Sequence, residues 1–266
     1  MSSQDWNTAI TKVEPNKLLI RGYRLDELMC RLSFAEMVYL ILLGRLPGPS
    51  VARVMNAILV SSVDHGATPP STLAARTVAS TGATLNASLA AGILSINRHH
   101  GGAIESCMTV LKEAVGQKRA GGLPAGEAAL AVVRSARQEK RRLPGYGHRV
   151  HSQDPRTARL FQLSGEANLN GEFVEMALAI QAAIAKESGK ELPINVDGAI
   201  AALLCEMEFP PELANAIFIM ARIPGLTAHV YEEMTKEKPM RRISPTHHGY
   251  DGVAERKLWR TNDTEK

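Results

Sequence analysis

The sequence predicts an all-α protein with at most a small hairpin near its start. Three observations carry that expectation. Apolar residues recur at helical spacing along most of the chain, helix-starting and helix-ending residues bracket those stretches, and strand-like alternation is confined to one short run, 18–23 (LLIRGY). In order, 33–43 (SFAEMVYLILL) opens on Ser33 with Glu36 three positions on, the reciprocal capping pair that starts a helix. The run 84–96 (TLNASLAAGILSI) is apolar on every side, so it belongs in a core or a subunit interface. Residues 103–116, 126–142, 172–187, 198–207 and 211–222 read as further helices, most of them bounded by Gly, Pro or Asn.

The chain of 266 residues, 45% hydrophobic and 22% charged, has an ordinary globular composition and room for one large domain or two unequal lobes. No apolar run approaches the roughly 20 residues of a membrane span, and the first residues lack a basic start followed by an apolar core. Cys30, Cys107 and Cys205 are scattered, without metal or disulfide spacing, so a reducing cytoplasm is expected. The net charge is +4, and its densest basic stretch holds Arg137, Lys140, Arg141 and Arg142, followed by Arg149, Arg156 and Arg159. A solvated helix face explains such a run. A nucleic-acid surface is disfavoured, because no aromatic residues interleave with it and no reader motif is present. A site for a phosphorylated cofactor is the third reading.

Four irregular segments concentrate Gly, Pro, His, Asp and Arg: 64–66 (DHG), 98–102 (RHHGG), 143–156 (LPGYGHRVHSQDPR) and 193–198 (PINVDG). Five of the eight histidines lie there: His65, His99, His100, His148 and His151. None forms the helical pair of a zinc protease and no cysteine joins them, so no metal site is expected. The chain has no G-x-S-x-G elbow, and LPGYGH is not a dinucleotide fingerprint. Acid–base chemistry fits better. Glycines beside His100 and His148 let backbone approach a ligand, and Asp197 stands at a helix start, where the dipole favours an ionised carboxylate. Plain N-capping by Asp197 would satisfy the same local pattern, and any one of these histidines could be an ordinary loop side chain.

Taken together the segments change that balance. HHGGA (99–103), PGYGHRVHSQDPR (144–156), NVDG (195–198) and IFIMARIPGLTAH (217–229) stand in an order that resembles the citrate synthase superfamily, from about residue 10 to about 245. The resemblance implies that His100 holds a thioester oxygen as it becomes an enolate, that Asp197 moves the proton on the acetyl carbon, and that His148 serves the oxygen of the second substrate. It also implies that His65, Arg156 and Arg222 bind carboxylates of oxaloacetate or citrate, with an arginine of a partner subunit completing the pocket. The equivalent of that last residue falls among Lys238, Arg241 and Arg242, with the two arginines favoured. Arg142, Gly145 and Gly147 would meet coenzyme A, which enters as a thioester substrate, with no permanently bound cofactor.

GRLP (44–47) is followed by VDHG (63–66) after a single helix's length, and this compact layout resembles citryl-CoA lyases and the lyase domain of ATP citrate lyase. The implied reaction is cleavage of citryl-CoA to acetyl-CoA and oxaloacetate. The alternatives are a short condensing enzyme of the citrate or methylcitrate synthase type, which also hydrolyses the thioester, and a non-catalytic helical dimer. Residues 1–102 and 208–266 are expected to form a large lobe and 103–207 a small one, in a homodimer or dimer of dimers. A separate ligase would supply citryl-CoA.

Overall fold

A computed structural model of the chain describes residues 6–147, 154–241 and 253–256. The expected hairpin is a three-stranded antiparallel sheet of β1 (Thr11–Glu14), β2 (Lys17–Ile20) and β3 (Tyr23–Arg24), with Thr11 opposite Ile20 and Ile20 opposite Tyr23. Arg21 and Gly22, at φ 49° and 88°, form the two-residue turn between β2 and β3. The Arg21 guanidinium donates to the carbonyl of Ile41 from Nε (3.1 Å) and Nη2 (2.7 Å), which fastens the sheet to the helices that follow.

Helices make up the rest. They are α1 (Leu25–Met29), α2 (Phe34–Leu43), α3 (Pro49–Ser61), α4 (Pro70–Ser80), α5 (Leu85–Leu94), α6 (Ala103–Gly121), α7 (Ala125–Gln138), α8 (Pro155–Glu166), α9 (Glu172–Ser188), α10 (Val196–Glu206) and α11 (Ala214–Lys236). The capping box at α2 is formed in both directions: Ser33 Oγ accepts from the Glu36 N–H, and the Glu36 carboxylate accepts from the Ser33 N–H at 2.7 Å. Several elements differ from the sequence expectation, among them α6, which runs on to Gly121, and the short α1. Helices α4 and α8 were not anticipated; each starts on a proline at its first turn, where the missing N–H costs nothing. Helix α7 stops at Gln138, because Lys140 turns left-handed (φ 53°) and the Arg141 N–H closes back on the Ala136 carbonyl at 2.8 Å. Arg141 and Arg142 therefore leave the helix rather than lining one of its faces. Helix α11 runs on to Lys236 through Pro224, where a break was expected. Buried apolar residues on both sides of the proline, Ile217, Phe218 and Ala221 before it and Leu226 and Val230 after it, outweigh the roughly 3 kcal/mol penalty.

Helix α10 is the centre of the molecule. All of its residues from Gly198 to Cys205 are buried, and α6, α8 and α9 pack around it. Ile104, Met108 and Leu111 of α6 and Met176 and Ile180 of α9 supply fully buried side chains. A second cluster joins Ala75 and Ala79 of α4 to Leu226 and Val230 of α11, with α5 against it. Helix α5 buries only Ser88 and Gly92, while Leu85 and Leu94 are 42% and 77% exposed. Its apolar composition is therefore left largely uncovered in the single chain.

One segment, Pro211–Lys236, is long and apolar enough to cross a membrane by length and composition, which the sequence reading did not anticipate. It carries buried Arg222 and Glu233 and packs on α3, α4, α5 and α6, as a core helix does.

Candidate active site

His100 ends a tight turn just before α6. Asn97 and His100 exchange both backbone hydrogen bonds at 2.9 Å, and the Gly102 N–H also closes on the Asn97 carbonyl at 3.1 Å. Gly101 has φ 90°, and a Cβ there would lie 2.7 Å from Ile96 and 2.8 Å from the Phe218 ring, so only glycine fits. The imidazole is half-buried, with Nε2 2.8 Å from Ser71 Oγ and its ring edge-on to Phe218. Burial first, then the positive charges of Arg222 and His65, hold its pKa below the usual histidine value. A neutral ring whose Nε2 accepts from Ser71 carries its proton on Nδ1, the tautomer that donates to an anionic oxygen. Ser71 was missed in the sequence, since a lone serine 29 residues upstream gives no local signal.

Asp197 is the second residue of α10, and it is not the cap. Asn195 caps the helix through Oδ1, which accepts from the Gly198 N–H at 3.1 Å. Burial works against the helix terminus here and pushes the Asp197 carboxyl up to about 6, so the ionised form that the terminus favours is reached only above that pH. Arg156 and Arg222 pull it down and Asp154 pushes it up, but desolvation is the largest effect.

The loop 143–147 is stapled to the segment that leads into α10. The Gly145 carbonyl accepts from Asn195 N–H (3.0 Å), the Gly147 N–H donates to the Pro193 carbonyl (2.7 Å), and Asn195 Nδ2 donates to the Gly147 carbonyl (2.9 Å). A Cβ at Gly145, where φ is 85°, would come within 2.8 Å of both Cys107 Sγ and Gly198 Cα. Gly145 thus serves the approach of loop to helix, whereas Gly147 and Arg142 line an open groove of about 800 Å³ between α7 and α9. Arg137, Arg141 and Lys190 stand around the same groove, with Val133, Ile184 and Leu192 as apolar walls. His148 lies outside the described residues, as do His151 and Arg242.

Arg222 is buried on α11. Its Nε donates to the Ser62 carbonyl at 2.9 Å, its guanidinium lies 4.8 Å over the Phe218 ring, and Nη1 has no hydrogen-bond partner among the described residues. Arg156, at the start of α8, forms a bidentate pair with buried Asp154 (3.0 and 2.8 Å), and its charge also acts on Asp197 and Arg222. His65, exposed in the loop after α3, acts electrostatically on His100. The charges of Arg222 and His65 thus act on His100, and those of Arg156 and Arg222 on Asp197, which places the five within electrostatic reach of one another. Arg241 stands apart from them: Nε and Nη2 grip the Glu233 carboxylate at 2.5 and 2.8 Å, and Arg76 Nε binds the same group at 2.7 Å. Among the described residues no three His, Cys, Asp or Glu side chains gather to hold a metal.

The all-α fold thus collects a half-buried carboxyl group, two histidines and two arginines at one place. Residues 45–244 match the family described as citrate synthase, C-terminal domain, and the chain belongs to the citrate synthase family. It is 30% identical over 214 residues to citrate synthase 2 of Bacillus subtilis, covering 79% of this chain and 54% of that protein. The chain therefore spans about half the length of that relative. Among solved structures, citryl-CoA lyase from Hydrogenobacter thermophilus superposes with a TM-score of 0.87 at 43% identity, over 95% of this chain and 97% of that one. ATP citrate lyase of Methanosaeta concilii, in complex with (3S)-citryl-CoA, shows the same fold at 21% identity and a TM-score of 0.80, over 96% of this chain and 43% of that one.

Proposed function

We propose that this chain is a citryl-CoA lyase, cleaving citryl-CoA to acetyl-CoA and oxaloacetate. The observation that carries the reading is the nearly end-to-end match, at 43% identity, to a lyase of the same compact length. His148 takes the proton of the citryl hydroxyl. The carbon–carbon bond then breaks, its electron pair passes into the thioester enolate held by His100, and the alkoxide carbon becomes the keto group of oxaloacetate. Asp197, protonated below a pKa of about 6, delivers its proton to the enolate carbon. Its position supports that role, since Gly147, which precedes His148, is bonded to Asn195 two residues before Asp197. His65, Arg156 and Arg222 hold substrate carboxylates, and coenzyme A lies along the groove past Arg142 and Gly147. Because Arg241 is already committed to Glu233, Arg242 is the better candidate to complete a partner's pocket.

The two expected lobes divide the work. Asp197 and Arg156 come from 103–207, and His65, His100 and Arg222 from the other lobe, so closure would assemble the site and exclude water. The exposed face of α5 supports a homodimer. Buried Cys107 and Cys205 support a reducing cytoplasm, where a separate ligase would supply citryl-CoA.

Incubation with citryl-CoA, followed by an NADH-linked assay for oxaloacetate, is expected to give oxaloacetate and acetyl-CoA without free thiol. Absence of oxaloacetate would remove the lyase reading. Relatedness to citrate synthases supports a second reading, condensation with thioester hydrolysis, which predicts free thiol from acetyl-CoA plus oxaloacetate.

Ser71→Ala is expected to lower turnover by roughly 10- to 100-fold, with unchanged thermal stability, because the His100 ring loses the partner that fixes its tautomer. Steady-state rates beside a melting curve check this; an unaffected rate would show that the hydroxyl does not orient the ring.

A further inference from the structure

One stripe of α11 holds the loop that carries His65. Arg222, Gly225 and His229 stand at i, i+3 and i+7, on a single face of the helix. Each meets the loop at a successive residue. Arg222 Nε binds the Ser62 carbonyl at 2.9 Å. At Gly225 a Cβ would lie 2.3 Å from the Val63 carbonyl oxygen and 2.9 Å from Asp64 Oδ1, so the loop rests directly on helix backbone. His229 Nε2 is 3.0 Å from Asp64 Oδ1, and Asp64 Oδ2 accepts from the Gly66 N–H at 2.9 Å. The Asp64 carboxylate thus fixes the chain on both sides of His65, one oxygen reaching across to α11 and the other closing the turn ahead. Burial raises the pKa of Asp64, but the N–H groups of Gly66 and His65 and the His229 ring outweigh it and hold the carboxyl below its ordinary value.

We infer that Asp64 and His229 are a positioning pair. They clamp the loop 62–66 onto α11 and thereby set His65 in register with Arg222, so that the two grip carboxylates of one substrate. This rests on the reading of His65 and Arg222 as carboxylate ligands. Neither member of the pair need touch substrate. Their effect passes through the placement of His65, and a displacement of about 1 Å is enough to weaken such a grip severely.

Oxaloacetate and coenzyme A serve as separate binding probes, measured by calorimetry on the full chain, with citryl-CoA cleavage assayed in parallel. His229→Leu is expected to weaken oxaloacetate binding and raise KM by roughly tenfold or more, while coenzyme A affinity, kcat and melting temperature stay near wild type. His229→Gln, which keeps an N–H donor at the position of Nε2, is expected to restore binding. Gly225→Ala gives an independent arm. The added Cβ would meet the Val63 carbonyl at 2.3 Å and push the loop off the helix, so the clamp predicts weakened oxaloacetate binding with coenzyme A affinity unchanged, and wild-type oxaloacetate affinity in this variant would count against it. Wild-type affinity in His229→Leu, or a Gln variant as weak as Leu, would overturn the positioning pair and leave the lyase reading standing. A wild-type chain that binds no oxaloacetate would instead overturn the functional reading, and the pair with it.

Discussion

Asp197→Asn is expected to be inactive and, above pH 6, more stable than the native protein. The loss of activity follows from the role proposed for it: an amide cannot supply the proton, and general acid catalysis contributes typically 10²–10⁴-fold. The gain in stability follows from the same burial that makes the residue useful. In the unfolded chain the carboxyl ionises near 3.8, and in the folded one at about 6. Between those values the folded state keeps a proton that the unfolded state releases. Above pH 6 both are ionised, and the folded state carries the full cost of a buried charge, about 3 kcal/mol from the difference in pKa. Asparagine removes that cost. The melting temperature of the variant should exceed wild type by several degrees at pH 8, at roughly 2–4 °C per kcal/mol for a chain of this size. The advantage should shrink as pH falls from 6 towards 4. Cleavage by the native enzyme should decline above the same pH, because only the protonated carboxyl can donate. A variant with substantial turnover would end the assigned role, and one that melts lower than wild type at pH 8 would show that burial is not what raises the pKa.

Arg222→Gln is the second large effect. The guanidinium is buried, stacked on Phe218 and bonded through Nε to Ser62, while Nη1 is left without a partner among the described residues. On the proposed reading, a substrate carboxylate would supply what Nη1 lacks. Truncating one side of a buried, hydrogen-bonded charge pair costs roughly 2–5 kcal/mol, or roughly 30- to 5,000-fold in KM for citryl-CoA. Coenzyme A binding should be unchanged, since the groove proposed for it lies between α7 and α9. Lysine should not rescue the loss, because it lacks the planar fork that meets a carboxylate with two parallel bonds. Loss of Arg222 also removes a charge that pulls the Asp197 pKa down, so the alkaline limb of the cleavage profile should move to higher pH. A KM within threefold of wild type would show that Arg222 does not hold the substrate.

Much of this was legible before the structure. Ser33 and Glu36 announce the start of α2, because a capping box is made by residues three apart. Asn195 and Asp197 stand where a helix begins, and the glycines of 98–102 and 143–147 mark turns that the structure shows to be tightly packed. Helices α4 and α8 were hidden for a local reason. Pro155 falls within the irregular segment 143–156 and Pro70 within no assigned element, although at a first turn proline starts a helix. What sequence could not give was contact between distant segments. Ser71 against His100, Glu233 between Arg76 and Arg241, and Asp64 against His229 are each pairs whose meaning exists only after folding. The ionisation of Asp197 belongs with them. Helix position alone argues for a carboxylate that ionises at low pH, and the desolvation that raises it to about 6 exists only in the folded chain.

The path of α11 has a mechanical consequence. Its first half, with Ile217 and Phe218, belongs to the core that contains α10, and its second half, with Leu226 and Val230, belongs to the cluster with α4 and α5. Arg222 sits at the changeover. When two bodies rock about a shared axle, points on the axle travel least and points on the arms travel most. If the lobes proposed above close in this way, Arg222 would stay almost still, a fixed peg for a carboxylate, while Asp197 would swing in with the arm that carries it.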